Sequence, residues 1–223
     1  LFNQWFVEFE FPNAEGQPYK SAGGKMVESE MGMVPEGWDI SSLDQIAEFL
    51  NGIACQKYPP KEGEESMPVI KIRELRNGNL NEADCVSRVV PEKYYVKNGD
   101  VLFSWSGSLM VDIWKSGEGV LNQHLFKVTS DKYQKWFYYL WIQYHLEDFQ
   151  NIAADKATTM GHIQRKHLNQ AKVIIPNIDT LKRMDVVMSP IIAQTIQNNI
   201  EGNILSELRD GLLPKLMSGD IEV

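Results

Sequence analysis

Between Asn177 and Leu213 the apolar residues Met184, Met188, Ile192, Ile196, Ile200, Ile204, Leu208 and Leu212 return at every fourth position, with Leu181, Ile191 and Leu205 beside them. That spacing marks one helical face. At 1.5 Å per residue, a helix of roughly 35 residues is about 52 Å long, more than a domain of this size needs. Asn177 and Asp179 both suit its N-cap. Pro190 and Gly202 weaken the ladder and mark places where it bends. Such a helix either folds back onto the body or projects as a coiled-coil arm, and the second is the reading adopted. Its pairing seam is then Met184, Met188, Ile192, Ile196, Ile200, Leu205, Leu208 and Leu212, which needs a partner helix.

The rest of the chain is built from shorter pieces. Leu1, Phe2, Trp5, Phe6 and Phe9 fall at helical spacing, so residues 1–10 read as the last turns of a helix, the stump of a partner for the long one. Pro12, Gly16, Pro18, Gly23 and Gly24 then punctuate a linker, and a domain boundary is expected near residue 34. Pro35, Gly37 and Trp38 open the next unit, and Ser42 with Gln45 has capping-box spacing for a short helix. Residues 67–72, 94–98, 100–105, 109–114 and 124–129 are rich in β-branched and aromatic side chains and read as strands. One helix is expected over 131–152, with Tyr133, Phe137, Leu140, Trp141 and Tyr144 as a core-packing stripe. A helical turn near 161–168 and a strand at 171–176 follow. The expected class is α+β: a helix end and linker over 1–34, a mixed β-rich domain over 35–176, and the long helix with a tail over 177–223.

Composition narrows the function. The chain of 223 residues is 43% hydrophobic and 23% charged, enough for a true core. No run approaches the roughly 20 apolar residues of a membrane span. Cys55 and Cys85 lack the spacing of a zinc knuckle or a disulfide framework. A cytoplasmic protein with no membrane association is expected. The net charge of −8 sits mainly at the front, where residues 1–50 hold nine acids against Lys20 and Lys25. Residues 51–176 hold sixteen basic and fourteen acidic side chains, which leaves the middle of the chain free to meet an anion.

Signatures of catalysis are missing. The stretch "KNGDVLFSWSGS" over 97–108 looks most like a site, yet S-W-S-G-S lacks the first glycine of a G-x-S-x-G nucleophile elbow. Nothing in the sequence ties Ser106 to His124, the one histidine in an expected strand. The stretch is read as a turn, a buried strand and an exit from the sheet, its loop end facing a ligand at most. Phosphate-loop and dinucleotide glycine patterns do not occur. His162 and His167 are five apart, where a zinc pair on one helical face wants four. Pro59-Pro60 sits between Tyr58 and Lys61, unlike the N/D-P-P-Y/F turn of amino-methyltransferases, and the run from Asp112 to Lys115 is one residue too long for a nuclease D/E-x-K. No catalytic residue, cofactor or metal is expected, and the chain is read as non-enzymatic.

Two stretches suit DNA. Residues 156–172 carry Lys156, Arg165, Lys166 and Lys172 with no acid, interleaved with Thr158, Thr159, His162, Gln164 and Asn169. Residues 71–79 add Lys71, Arg73 and Arg76. Lys and Arg grip phosphates irrespective of sequence, while Thr, Gln, Asn and Arg read base edges. Charged stretches are more often plain solvated surface, and composition alone leaves both readings open. The candidate DNA contacts are Lys71, Arg73, Arg76, Lys156, Thr158, Thr159, His162, Arg165 and Lys166.

Five stretches, "VPEGW", "VKNGDVLFSWSGS" with "GVLNQHLFKV", "TTMGHIQRKHLNQAKVIIP", "LRDGLLPKLMSGDIEV" and the opening "LFNQWFVEFEFP", together resemble the specificity subunit of type I restriction-modification systems. The resemblance covers essentially the whole chain. It implies an architecture of two target-recognition domains, each reading half of a split DNA sequence, joined by two long antiparallel helices. This chain would hold one domain and one helix, either the C-terminal half of a subunit or a natural half-subunit pairing as a homodimer. The implied partners are double-stranded DNA, methyltransferase (modification) subunits that carry the methyl donor, and a restriction or motor subunit. Two alternatives stay open: the recognition fragment of a fused methyltransferase or restriction enzyme, and a helical assembly scaffold that binds no DNA.

Overall fold

In the computed structural model, which describes residues 1–155 and 161–221, the strand Val101–Ser104 is buried at all four positions. A strand buried on both faces lies between two layers. Val101 and Phe103 face a large cluster with Trp136 and Phe137, while Leu102 faces Ile70, Val96 and Leu121 on the other side. The strand sits in an antiparallel sheet whose spatial order is Glu48–Asn51, Leu125–Thr129, Val101–Ser104, Val111–Ile113. A second sheet packs on it in the order Cys85–Ser87, Ser66–Ile70, Gly119–Leu121, Tyr95–Val96, and its two central strands are parallel. The sheets meet at Gly52, where a Cβ would lie 2.1 Å from the Asn122 carbonyl oxygen, so no larger residue fits.

Helices cover the other face of the first sheet. Where periodicity expects one helix over 131–152 there are two, Lys135–Tyr144 and Leu146–Asp155. The break falls at His145, a buried residue whose Nε2 lies 2.7 Å from the Lys172 carbonyl oxygen. Burial pushes its pKa below the ordinary imidazole value. Phe137 and Trp141 of the expected stripe are buried, Tyr133 and Leu140 are half-buried, and Tyr144 is exposed.

Other local readings change too. The helix expected after Ser42 is only Leu43–Ile46, because Ser42 Oγ bonds Asp44 Oδ1 at 2.5 Å instead of capping, and Glu48–Asn51 joins the sheet. Asp39–Ser42 pairs antiparallel with Lys172–Ile175. In the stretch read as linker, Met26–Ser29 and Gly32–Pro35 form a hairpin. Phe2–Phe6 is a short helix, and Trp5, Phe6, Phe9 and Phe11 are buried in the same core as Trp38 and Trp136.

The long helix runs from Ile178 to Ser218, 41 residues. The Asn177 side chain accepts the Thr180 N–H at 3.0 Å, which caps its start. It continues past Leu213 through Pro214, whose missing N–H costs one ladder bond, and stops at Gly219 in the left-handed region, φ +77°. Its first turns are part of the body: Leu181, Met184 and Met188 are buried, and Trp136 Nε1 donates to Asp185 Oδ1 at 2.6 Å. Met184 and Met188, read as pairing residues, are therefore core residues of this chain. Ile192 and Ile196 pack half-buried against the core, and Asn203 Nδ2 donates to the Lys115 carbonyl at 3.2 Å. Ile204, Leu205, Leu208 and Leu212 are exposed, Leu205 by 65%. At about 100° per residue, Ile192, Ile196 and Asn203 share one face and these four centre on the opposite one. The architecture is α+β, with mixed sheets and a long C-terminal helix. Among the described residues, no helix is long and apolar enough to cross a membrane.

Candidate nucleic-acid interface

The end of the strand Val101–Ser104 builds a polar junction from three chain segments. Buried Ser104 Oγ lies 3.1 Å from the Ser106 carbonyl oxygen and 2.9 Å from that of Ser108, which folds S-W-S-G-S into a tight turn. Gly107, at φ +65°, donates its N–H to the Gly161 carbonyl at 2.9 Å, and Ile163 donates to the Trp105 carbonyl at 3.0 Å. Residues 105–107 and 161–163 are thus stitched edge to edge, with Ser106 opposite His162. Gly161 is required there, since a Cβ would lie 2.4 Å from the Ala153 carbonyl oxygen.

Side chains converge on that turn. His124, one residue before the strand Leu125–Thr129, places Nδ1 2.9 Å from Ser106 Oγ and Nε2 3.3 Å from Gln123 Nε2. The Trp105 ring lies 5.8 Å from the His124 ring and 6.3 Å from that of His162, and its Nε1 donates to Asn51 Oδ1 at 3.0 Å. The Arg165 guanidinium stands 5.6 Å over the Phe126 ring, and its Nη2 donates to the Phe49 carbonyl at 3.1 Å. A cleft of about 580 Å³ continues from His124 past Gln123, Asn122 and Gln56 to Lys71. Cys55 also lines it, its thiol pKa pushed up by burial. Lys71 pairs there with Asp84, and this ammonium holds the Asp84 carboxyl below its ordinary range.

The structure gathers some of the sequence-derived residues and separates others. His162 and Arg165 flank the Trp105 junction, and Lys71 shares the cleft with Gln123 and His124. Lys166 is exposed on the helix Arg165–Gln170. Arg73 is engaged by Glu74 at 2.8 Å and Glu82 at 3.7 Å, so carboxylates offset its charge. Arg76 is exposed near it on the helix Ile72–Asn77. Lys156, Thr158 and Thr159 lie outside the described residues. Sequence reasoning missed Asn51, Trp105, Gln123 and His124 as site residues. The one signal available for the last two was the "NQH" run beside a strand.

The Ser106–His124 contact that no sequence pattern supported is present. Serine catalysis also needs a third group to orient the base and a hole for the oxyanion. Here the second ring nitrogen of His124 faces a carboxamide, and Ser106 is 3% exposed. The arrangement holds side chains in place and presents donors, acceptors, an aromatic face and cations along one surface. Those are the parts of nucleic-acid contact. Among the described residues no group of three or more metal-ligating side chains comes together.

Residues 35–209 match the family model described as "Type I restriction modification DNA specificity domain". The chain is 22% identical to the type I restriction enzyme MjaIX specificity subunit of Methanocaldococcus jannaschii, covering 100% of this chain and 52% of that one. It is 24% identical to the EcoBI specificity subunit of Escherichia coli, covering 83% of this chain and 40% of that one. Among solved structures, it is similar to the type I restriction-modification S subunit of M. genitalium, with a TM-score of 0.51 and 15% identity over 82% of this chain and 46% of that one. The chain spans about half the length of the curated relatives it matches.

Proposed function

Because the chain belongs to the type I restriction modification DNA specificity domain family, we propose that it reads one half of a bipartite sequence in double-stranded DNA and leaves the chemistry to methyltransferase and restriction subunits that it recruits. The observation that carries this reading is the junction at residues 104–108 and 161–165. It joins His162 and Arg165 to Trp105, His124 and Gln123 on one surface next to the Lys71 cleft. Cations supply the grip on phosphate, and carboxamide and imidazole groups supply base-edge hydrogen bonds. One half-site gives few contacts, so binding by this chain alone is weak and falls with salt by a slope set by the number of phosphates it neutralises. Fluorescence anisotropy of a labelled duplex pool across a salt series tests it. Reversing charge at Arg165 and Lys166 is expected to weaken binding and flatten the salt slope by about 2. A slope unchanged by both reversals removes this surface from the binding face.

The outward stripe Leu205, Leu208 and Leu212 supports a second part of the reading. Exposed leucines along one helical face need cover. We propose that the cover is the same helix of a second copy, running antiparallel, so that two identical half-sites are read at a separation set by helix length. Sedimentation of the full chain tests it, with a concentration-dependent dimer expected.

A further inference from the structure

We infer that Gln123 is a base-reading residue selective for adenine, held in position for that task by His124 and Ser106. The inference rests on the DNA-reading proposal above and adds which side chain reads and what it reads. A carboxamide nitrogen can only donate. The 3.3 Å contact from Gln123 Nε2 therefore makes His124 Nε2 an acceptor, and the imidazole proton sits on Nδ1. From there it is donated to Ser106 Oγ, 2.9 Å away. Ser106 is itself fixed by the turn that Ser104 Oγ ties together. The relay spends one of the two N–H donors of Gln123. That donor is assigned as the N–H on the Cγ side, which leaves Oε1 and the N–H beside it with no hydrogen bond to any described residue.

A donor and an acceptor at fixed spacing now project from a half-buried side chain that lines the open cleft. The complementary partner is an acceptor beside a donor. Of the base edges in the major groove, adenine offers that pair at N7 and N6, and glutamine binds it with both groups at once. Guanine presents two acceptors there, which would leave Oε1 facing an oxygen. Because His124 already restrains the carboxamide, Gln123 gives up less rotamer freedom on binding than an unrestrained glutamine. His124 and Ser106 are positioning residues here, acting through Gln123.

The test is selection of duplexes by the full chain from a randomised pool, read by sequencing. The wild type is expected to enrich a motif with adenine at one position. Gln123→Ala is expected to lose roughly 5- to 150-fold of the preference at that position and to keep the others. Gln123→Glu is expected to turn the position toward cytosine, whose N4 donates to a carboxylate. Ser106→Ala is expected to weaken the adenine preference without changing the preferred base, a readout that simple loss of stability would not give. Identical motifs from wild type and Gln123→Ala would overturn the inference and leave DNA reading intact. Failure of the wild type to enrich any motif would overturn the reading beneath it, and this inference with it.

Discussion

The two halves of the long helix carry the same apolar repeat and meet opposite fates. Leu181, Met184 and Met188 are sealed into the core, whereas Ile204, Leu205, Leu208 and Leu212 stand in solvent. The repeat itself is the cause. A spacing of four residues overshoots a 3.6-residue turn by about 40° per step, so the stripe winds around the helix. It leaves the body after Ile196 and reaches the far side near Leu208. One sequence pattern thus supplies a root that belongs to the domain and an arm that needs another helix.

That contrast can be broken by substitution. Met184→Ala is expected to destabilise the chain by about 2–5 kcal/mol in chemical denaturation, since it opens a cavity in the core. Leu208→Ala is expected to change monomer stability by less than about 0.5 kcal/mol. Equal losses at the two positions would remove the distinction between root and arm. Asp185→Ala strands the Trp136 N–H and is expected to cost about 1–3 kcal/mol. At the helix ends the contrast sharpens. Asn177→Ala is expected to cost about 1 kcal/mol of global stability, while Gly219→Ala, at the exposed end, is expected to raise hydrogen exchange only in the last turns.

A smaller effect comes from His145, buried in the body at the break between Lys135–Tyr144 and Leu146–Asp155. Its folded pKa lies below its unfolded one, so the unfolded chain takes up a proton first as pH falls. Its contribution is therefore complete above about pH 6.5 and is lost as the pH falls from there through the folded value. Denaturation midpoints from pH 8 to pH 5 are expected to fall, and less so in His145→Gln. Parallel curves would contradict the assignment.

How much of this was legible in the sequence depended on where each cause lies. Val101–Ser104 could be read because its strand signal is local, an apolar run between Asn98-Gly99 and Ser106-Gly107. Asn177 as a cap is local in the same way. The break at His145 could not be read, because its anchor is a carbonyl 27 residues later. The hairpin over 26–35 hid behind glycine and proline, and the burial of Trp5 and Phe6 depends on Trp38, Trp136 and Trp141. In the candidate site, the sequence pointed to cations, which composition displays. It did not point to Gln123 and His124, which meet Ser106 only once the turn after Val101–Ser104 is folded against residues 122–124. Of the two carboxylates beside Arg73, Glu74 is its sequence neighbour, while Glu82 reaches it only across the turn at residues 78–81.

The central claim is that DNA is read at the junction of residues 104–108, 122–124 and 161–166 and not by the arm. Hydrogen exchange on the full chain, with and without a saturating duplex, tests it most directly. The account predicts slowed exchange at those three segments and unchanged exchange over residues 204–218 at constant oligomeric state. Protection confined to the helix, with the three segments unaffected, would contradict it.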